Sequence, residues 1–432
     1  MVRNYRLERN DGTGDKRNGR LKIAVIVHGR FHAFDLVRAL TKRGNDVHVF
    51  TNYPKWAAAR FGLQPEAVHS LWTHGVALRA VQKLGDKAWD LACPALHTWF
   101  SKWAARELRR GEWDVIHSFS GVAENIFLSR LDARRHFMVR GSSHIRCQDQ
   151  ILHEESVRIG VPLERPTRWM IDREEREYEL CDQILLLSSF ALESFVQHGV
   201  PANKLSLFPL GVDTRSFRPS EEALNARLHR ILSGQPLRIN FTGTLNYRKG
   251  LYDFDRIVRA LDPKKFQFEV VGSVQAEAKD VAAKLPANVT LVPRQPQSKL
   301  PEWYNRGDVF FFPTLEDGFA VVLAQAYANA LPIVTTTNCA GPDMLRHNES
   351  GWVLPIRRPD LFIEQLLWCD ANRDRLADVV RRLYNSWQAR DWNDVAADFE
   401  RIVSKVVGRN ARPSKMAEAI VAPMAAGEPR GF

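Results

Sequence analysis

The chain has 432 residues, 45% hydrophobic and 26% charged, with a formal net charge of +11. That length exceeds one ordinary core, so two domains are expected. Five scattered cysteines (Cys93, Cys147, Cys181, Cys339 and Cys369), with no CxxC spacing, argue against a disulfide framework or a structural zinc site and suit a reducing compartment.

The basic balance fits nucleic acid, an anionic membrane surface or phosphorylated substrates. No nucleic-acid-binding signature occurs, so nucleic acid ranks last. No apolar run approaches the roughly 20 residues of a bilayer span. The first twenty residues carry basic groups without the apolar core of a signal peptide. A cytoplasmic protein is expected, with peripheral contact at the cytoplasmic membrane face as an option.

Residues 1–20 are polar and read as a disordered basic arm. A strand follows at 22–27, then a helix at 34–43 closed by Gly44, a residue suited to a left-handed cap. Further strands are expected at 46–50, 114–117, 137–140, 183–187 and 205–210. A charged, helix-like stretch at 220–235 reads as part of a linker over 213–235. A second series of strands follows at 237–241, 268–271, 289–292, 308–312, 332–335 and 352–354. This alternation predicts an α/β fold with two Rossmann-like domains, 21–212 and 236–385, each a parallel sheet covered on both faces. Ligands of such sheets bind outside the carboxyl ends of the strands, so two facing sheets leave a cleft. The stretch 409–432 reads as a disordered tail.

Residues 52–112 have their own composition. Trp56, Trp72, Trp89, Trp99, Trp103 and Trp113 concentrate there and just after, among Lys and Arg. Aromatic and basic residues share the helix-like span 97–111. The pattern fits an interfacial or lipid-acceptor face; ordinary aromatic core packing is the other reading.

Within VIVHGRFHAFDLVRAL (25–40), Gly29 makes a turn between strand and helix. His28, Arg30 and His32 either face the cleft or are plain loop residues. In VRGSSHIRCQDQILHEE (139–155) a strand ends in polar residues and His144 follows. The densest stretch is FFPTLEDGFAVVLAQAYANALPIVTTTNCAGPD (311–343). A strand ends at Pro313, Asp317 and Gly318 turn, and a helix is expected over 319–330. Free first-turn amides at 318–322 would suit a phosphate, with Asp317 at the mouth. Gln325 lies eight residues on, about 12 Å along a helix axis, a span that suits a diphosphate between a sugar and a ribose. A buried strand–turn–helix with a capping Asp is the alternative. In FTGTLNYRKG (241–250), Gly243, Thr244, Arg248 and Lys249 form a strand end that could face a phosphate.

These motifs resemble retaining family 4 glycosyltransferases, which have the GT-B fold, over about residues 21–405. Pro313-Thr314, Asp317-Gly318-Phe319-Ala320, Gln325-Ala326-Tyr327-Ala328 and Leu331-Pro332-Ile333 match the family's donor signature without gaps. Asp317 stands where the family has the first Glu, which binds the donor sugar. Gln325 replaces the second, which binds the ribose, and loses a charge-assisted bond. Glu316 is the adjacent acid, but its spacing to Gln325 is nine. Lys249 matches the diphosphate-binding Lys; Thr244 sits at the usual Arg position, and Arg248 either substitutes for it or is a surface charge. His144 takes the place of a His beside the reacting centre, or is a hydrogen-bonded loop residue, with Arg140, Gln148 and Glu155 around the acceptor pocket. The glycine loop 338–355 places Asp343 as an N-cap. The run 173–217 matches almost position by position, putting Gly211 and Asp213 at the interdomain turn. A C-terminal helix (386–408) crosses back onto the first domain.

The resemblance implies a metal-independent hexosyltransferase of polysaccharide biosynthesis. It would use a nucleoside-diphosphate sugar as substrate, no cofactor, and a glycan or lipid-linked acceptor. The donor would be held by Lys249, Arg248, Thr244, Gly243, Gly29 and the stretch Gly318, Phe319, Ala320, Val321, Val322 and Gln325. Asp317 and His144 would position the sugar. Two rivals are weighed: a nucleotide-sugar epimerase or phosphorylase on the same fold, and a catalytically silent nucleotide-sugar-binding protein.

Overall fold

The computed structural model describes residues 20–408 except 130, 132, 387 and 388. The arm read at 1–20, but for Arg20, and the tail read at 409–432 lie outside the described residues. The strands are β1 (Lys22–Val27), β2 (Asp46–Thr51), β3 (Val68–Ser70), β4 (Trp113–Phe119), β5 (Ala133–Arg140), β6 (Gln183–Leu186) and β7 (Leu205–Leu207), then β8 (Leu237–Thr242), β9 (Phe266–Val271), β10 (Val289–Val292), β11 (Val309–Phe312), β12 (Ile333–Thr336) and β13 (Gly351–Leu354).

They form two sheets, ordered β3-β2-β1-β4-β5-β6-β7 and β10-β9-β8-β11-β12-β13. Every pairing is parallel. Parallel sheets take helices on both faces, which explains why β1, β6 and β11 are near-continuous apolar runs rather than alternating ones. In each sheet the chain works outward from a central strand and then jumps back beside it, at β1/β4 and β8/β11. Those reversals open a crevice at the carboxyl ends of the strands, and the turns that follow β1, β8 and β11 sit there.

Three differences from the sequence reading have physical causes. Strand β3 was not foreseen; three residues at a sheet edge carry too little pattern. Strand β5 begins at Ala133 because Arg135 and His136 interrupt its apolar run without interrupting its pairing. The stretch read as a linker is the helix Glu221–Leu232, and it packs on the second sheet's domain. Arg227 is the anchor. It is fully buried, and its guanidinium donates to the carbonyls of Tyr304, Gly307, Asn329 and Ala330 at 2.8–3.0 Å. A charge that reads as solvated on a helix wheel is here satisfied by otherwise orphaned carbonyls at helix ends.

The helix Trp392–Gly408 returns to the first domain. Phe399, fully buried, packs against His117, Phe137 and Phe208. Deleting such a ring costs about 3–5 kcal/mol. At the helix rim Glu400 pairs with Arg43 at 2.9 Å and accepts from Asn45 at 2.7 Å. Gly211 lets the two crossings meet: a Cβ there would lie 2.5 Å from the Asp391 carbonyl oxygen, and the Val212 N–H donates to Arg390 O at 2.9 Å.

Candidate active site

Strand β11 ends at Phe312, and the chain turns through 313–320 into the helix Val321–Ala328. That helix is shorter than the one expected, because Ala320 sits at φ 63° and cannot belong to its first turn. The turn is stitched to the end of β8: Leu315 N–H donates to Arg248 O at 2.9 Å, and Thr314 Oγ1 donates to the same oxygen at 3.3 Å. Gly250, at φ 84°, completes the contact, since a Cβ there would run into the Pro313 carbonyl.

This stitching delivers Lys249 to Asp317. The ammonium lies 2.5 Å from Asp317 Oδ2 and 3.2 Å from Glu316 O. Asp317 Oδ1 accepts from the amides of Phe319 and Ala320 at 3.0 and 2.7 Å. Burial alone would raise the Asp317 carboxyl, but Lys249, Arg248 and these amides more than offset it and hold it below the ordinary value. Burial and the neighbouring Arg248 press the Lys249 ammonium down, against the pull of both acids. The result is a desolvated ion pair at the mouth of a helix.

The expectation that amides 318–322 meet a phosphate is narrowed: those of Phe319 and Ala320 are taken by Asp317. Helix geometry leaves the amides of Val321 and Val322 without intrahelical acceptors. Arg248 is half-buried, 3.6 Å from Glu316 Oε2. Gly243, at φ 145°, ends β8, and Thr244 lies on the exposed rim, 3.2 Å from Ser273 Oγ. Gln325 is buried; the Tyr304 hydroxyl donates to its Oε1 at 2.9 Å, and its amide nitrogen has no partner among the described residues.

Glu316, set aside in the sequence reading, turns out to join the two domains. It is fully buried, and Oε1 accepts from Ser143 N–H and Oγ at 2.8 and 3.0 Å. Gly318 approaches the same facing turn so closely that a Cβ would collide with the Gly141 carbonyl. The turn 141–143 is thereby strapped to the turn 313–320. Only two consecutive acids hinted at this in the sequence, one to pair with Lys249 and one to cross the cleft.

His144 is at the end of that facing turn, but its ring is committed elsewhere. It is the N-cap of the helix Ile145–Ile159, with Nδ1 accepting from Arg146 N–H at 3.3 Å. The ring stacks on His198 at 4.4 Å and packs on Phe195 and Tyr178. Burial, reinforced by His198 and Arg140, lowers it to about 3, so it is neutral. It makes no contact with Asp317 or Lys249.

Of the three residues placed at the acceptor pocket, Arg140 and Gln148 bond to each other within the first domain, and Glu155 reaches across to the second. Arg140 is buried, bonded to Glu174, the Ser143 carbonyl and Gln148. Glu155 pairs with Arg158 and Arg357, and Arg158 reaches Asp253 at 2.9 Å. Arg357 holds φ 60° while donating to Glu154, Glu155 and Ile151 O. Asp343 is likewise no cap of its own helix; it accepts from Ser189 N–H at 2.8 Å across the domains. Asp253 and Asp255 have the Asp-x-Asp spacing of a metal motif, but their carboxylates go to Arg158 and Arg259.

On the first domain, Gly29 takes φ 130° and its carbonyl accepts from Thr51 Oγ1 at 2.8 Å. Arg30 reaches Gln297 of the second domain at 3.4 Å and lies over the Phe61 ring. The rings of His28 and His32 pack on His97 and Phe119. The tryptophans divide: Trp113 is core, donating to Leu108 O at 2.9 Å, whereas Trp56, Trp72 and Trp99 are exposed.

Two family models match the chain: "Glycosyltransferase Family 4" over residues 30–216 and "Glycosyl transferases group 1" over residues 236–372. The chain belongs to glycosyltransferase family 4. Solved structures similar to this family 4 chain include sucrose-phosphate synthase from Thermosynechococcus elongatus, with a TM-score of 0.67 and 16% identity, covering 90% of this chain and all of that one. HepE of Anabaena, in complex with UDP and glucose, gives a TM-score of 0.63 and 13% identity over 89% of this chain and all of that one. These likenesses establish the GT-B fold. Among relatives, the amylovoran biosynthesis glycosyltransferase AmsK of Erwinia amylovora is 28% identical over 184 residues, 40% of this chain and 43% of that protein. This chain spans about half the length of several curated relatives it matches. The MMP alpha-(1->4)-mannosyltransferase of Mycolicibacterium hassiacum is 24% identical over 87% of this chain and 94% of that protein.

Proposed function

We propose that the chain transfers a hexose-type sugar from a nucleoside diphosphate to a hydroxyl of a glycan or lipid-linked acceptor, with retention of anomeric configuration. The observation that carries this is the Lys249–Asp317 pair, held at the N-terminus of the helix Val321–Ala328 and pressed against the facing domain's turn. Lys249, Arg248 and the first-turn amides stabilise charge as it develops on the departing diphosphate, where preorganised donors act most strongly. They do so without a metal ion or cofactor. Asp317 orients the sugar, and the free amide of Gln325 donates to a ribose hydroxyl. HepE, with UDP and glucose bound, supports a nucleotide-sugar donor.

A silent nucleotide-sugar-binding protein is the second reading, favoured by Asp317 and Gln325 in place of two glutamates. Release of nucleoside diphosphate, measured across UDP-, GDP-, ADP- and dTDP-sugars with and without lipid extract, separates the two. Turnover of at least one donor is expected; binding of donors with no release from any would establish the silent protein instead.

We further place the protein in the cytoplasm, against an anionic membrane face. Among the described residues no helix is long and apolar enough to cross a membrane. The helices Trp72–Lys83 and Asp86–Leu108, with the cap residue Leu84 between them, expose Trp72, Val76, Leu84, Leu91 and Trp99, and along the same helices Arg79, Lys83, Lys102 and Arg106 are exposed. Aromatic and aliphatic groups among cations suit the headgroup zone. Co-sedimentation with phosphatidylglycerol-containing vesicles, lost with neutral vesicles and reduced in a Leu84→Ser/Leu91→Ser variant, is the expected result; equal recovery in the supernatant with and without anionic lipid would remove this assignment.

A further inference from the structure

A second group of side chains at the carboxyl edge of the first sheet is not used by the donor chemistry. Phe31 lies in the turn between β1 and the helix Ala33–Lys42. It is 59% exposed, yet it holds φ 40°, a left-handed conformation that bulky residues avoid. Core packing therefore does not explain it, and such strain collects where a side chain is presented for use. Its ring rests on Phe119 at 5.8 Å, nearly parallel, leaving much of its surface to solvent.

From Phe31 a run of rings leads across the domain. His28 is 6.2 Å away and His97 is 4.9 Å beyond it; the half-buried Trp89 and Trp169 flank His97 at 6.5 and 6.1 Å. His97 Nδ1 is held by the Gly121 carbonyl at 2.9 Å, whereas His28 Nδ1 is buried with no partner. The cations nearby are committed. Arg173, beneath the Trp169 ring, is matched by Glu124 at 2.7 Å and Glu177 at 3.5 Å. Arg30 packs on Phe61 and reaches Gln297.

That composition selects among ligands. A phosphate or carboxylate group needs a cation directed at it; the Arg173 guanidinium is turned to Glu124 and Glu177, and that of Arg30 to the Phe61 ring and Gln297. An acyl chain gains nothing from an unsatisfied imidazole, which costs free energy unless a polar partner arrives. A neutral sugar ring supplies both kinds of contact. Its polarised C–H face lies on the electron-rich face of an aromatic ring, and its hydroxyls can donate to or accept from a neutral imidazole. We infer that Phe31, Trp89, Trp169 and His28 form a subsite for an uncharged sugar unit of the acceptor; this rests on the transfer reaction proposed above.

The full chain, with UDP or GDP present, is the material for the test. Saturation-transfer NMR would compare methyl α-glycosides of mannose, glucose and galactose with mannose 6-phosphate. At least one neutral glycoside is expected to bind, and mannose 6-phosphate more weakly. Phe31→Asn, which tolerates the left-handed backbone, should weaken that binding about tenfold, or 1.4 kcal/mol, without lowering the melting temperature. Phe31→Tyr, which keeps the ring, should retain it. No signal from any neutral glycoside, tighter binding of mannose 6-phosphate, or undiminished binding in Phe31→Asn would each overturn the subsite. Nucleotide calorimetry on the same samples reports on the donor reading separately, because Phe31 touches neither Lys249 nor Asp317.

Discussion

Lys249→Ala is expected to lower nucleoside-diphosphate release by about 10²–10³-fold, the effect of removing one preorganised donor from a developing negative charge. The geometry explains why nothing else can take over. Gly250 and the Thr314–Arg248 stitching fix the Lys249 backbone, so the ammonium arrives without searching. Arg248 keeps its own contact with the diphosphate but is also drawn to Glu316 at 3.6 Å, so it does not move into the vacated Lys249 position. The loss should fall mainly on kcat, since a charge that grows in the transition state is what the ammonium meets. Lys249→Arg should not rescue it, because a planar fork does not replace a point charge seated 2.5 Å from Asp317. Asp317→Asn gives a contrasting result. The amide still accepts from Phe319 and Ala320, so the turn persists, but the ammonium loses its counter-charge and its fixed position. A coupled release assay on all three variants, with thermal melts as a control for folding, is the check. Wild-type rates in Lys249→Ala would end the proposed role of the pair.

How much of this site could be read from sequence depends on how local each interaction is. The turn 313–320 was legible because Pro313, Asp317, Gly318 and Gln325 belong to one strand–turn–helix unit. Lys249 was legible because a strand end followed by Lys-Gly is also a local pattern. The apolar runs of β1 and β11 placed both sheets for the same reason. What failed was long-range or a matter of side-chain direction. Glu316 finds Ser143 across 173 residues of chain, and no spacing rule reports that. His144 sits at the expected strand end, but Phe195, Tyr178 and His198, from later helices and the residue that closes one of them, surround its ring. Arg227 looked like one more surface charge on a polar helix until four carbonyls from distant loops converged on it.

The buried histidines make the fold sensitive to acid, well above the range where carboxylates titrate. His117 is fully buried on β4, with both ring nitrogens unpartnered, against Phe119 and Phe399. Burial, with a smaller push from His32, lowers it from 6.5 to about 3. His28 is lowered to about 3 by burial, His97 and His74, and His32 and His97 to about 4, chiefly by burial. All four are therefore neutral in the folded state at pH 7 and remain so well below it. The unfolded chain takes up these protons near 6.5, while the folded chain refuses them until about 3 or 4. Below 6.5 the unfolded state thus binds more protons, and stability must fall as pH falls. Each histidine contributes a slope of up to about 1.4 kcal/mol per pH unit, and total stability is only about 5–15 kcal/mol. Loss of the native state before pH 4.5 is the expected result, with stability near its maximum at pH 7 and above. His117→Leu isolates one contribution. It removes a titrating ring without stranding a hydrogen-bond partner, so stability at pH 7.5 should hold or rise. Between pH 6 and 5 the variant should lose about 1.2 kcal/mol less than wild type. Urea melts at half-unit intervals of pH would show this as diverging curves, and curves that run parallel would mean that His117 is not held neutral by its burial.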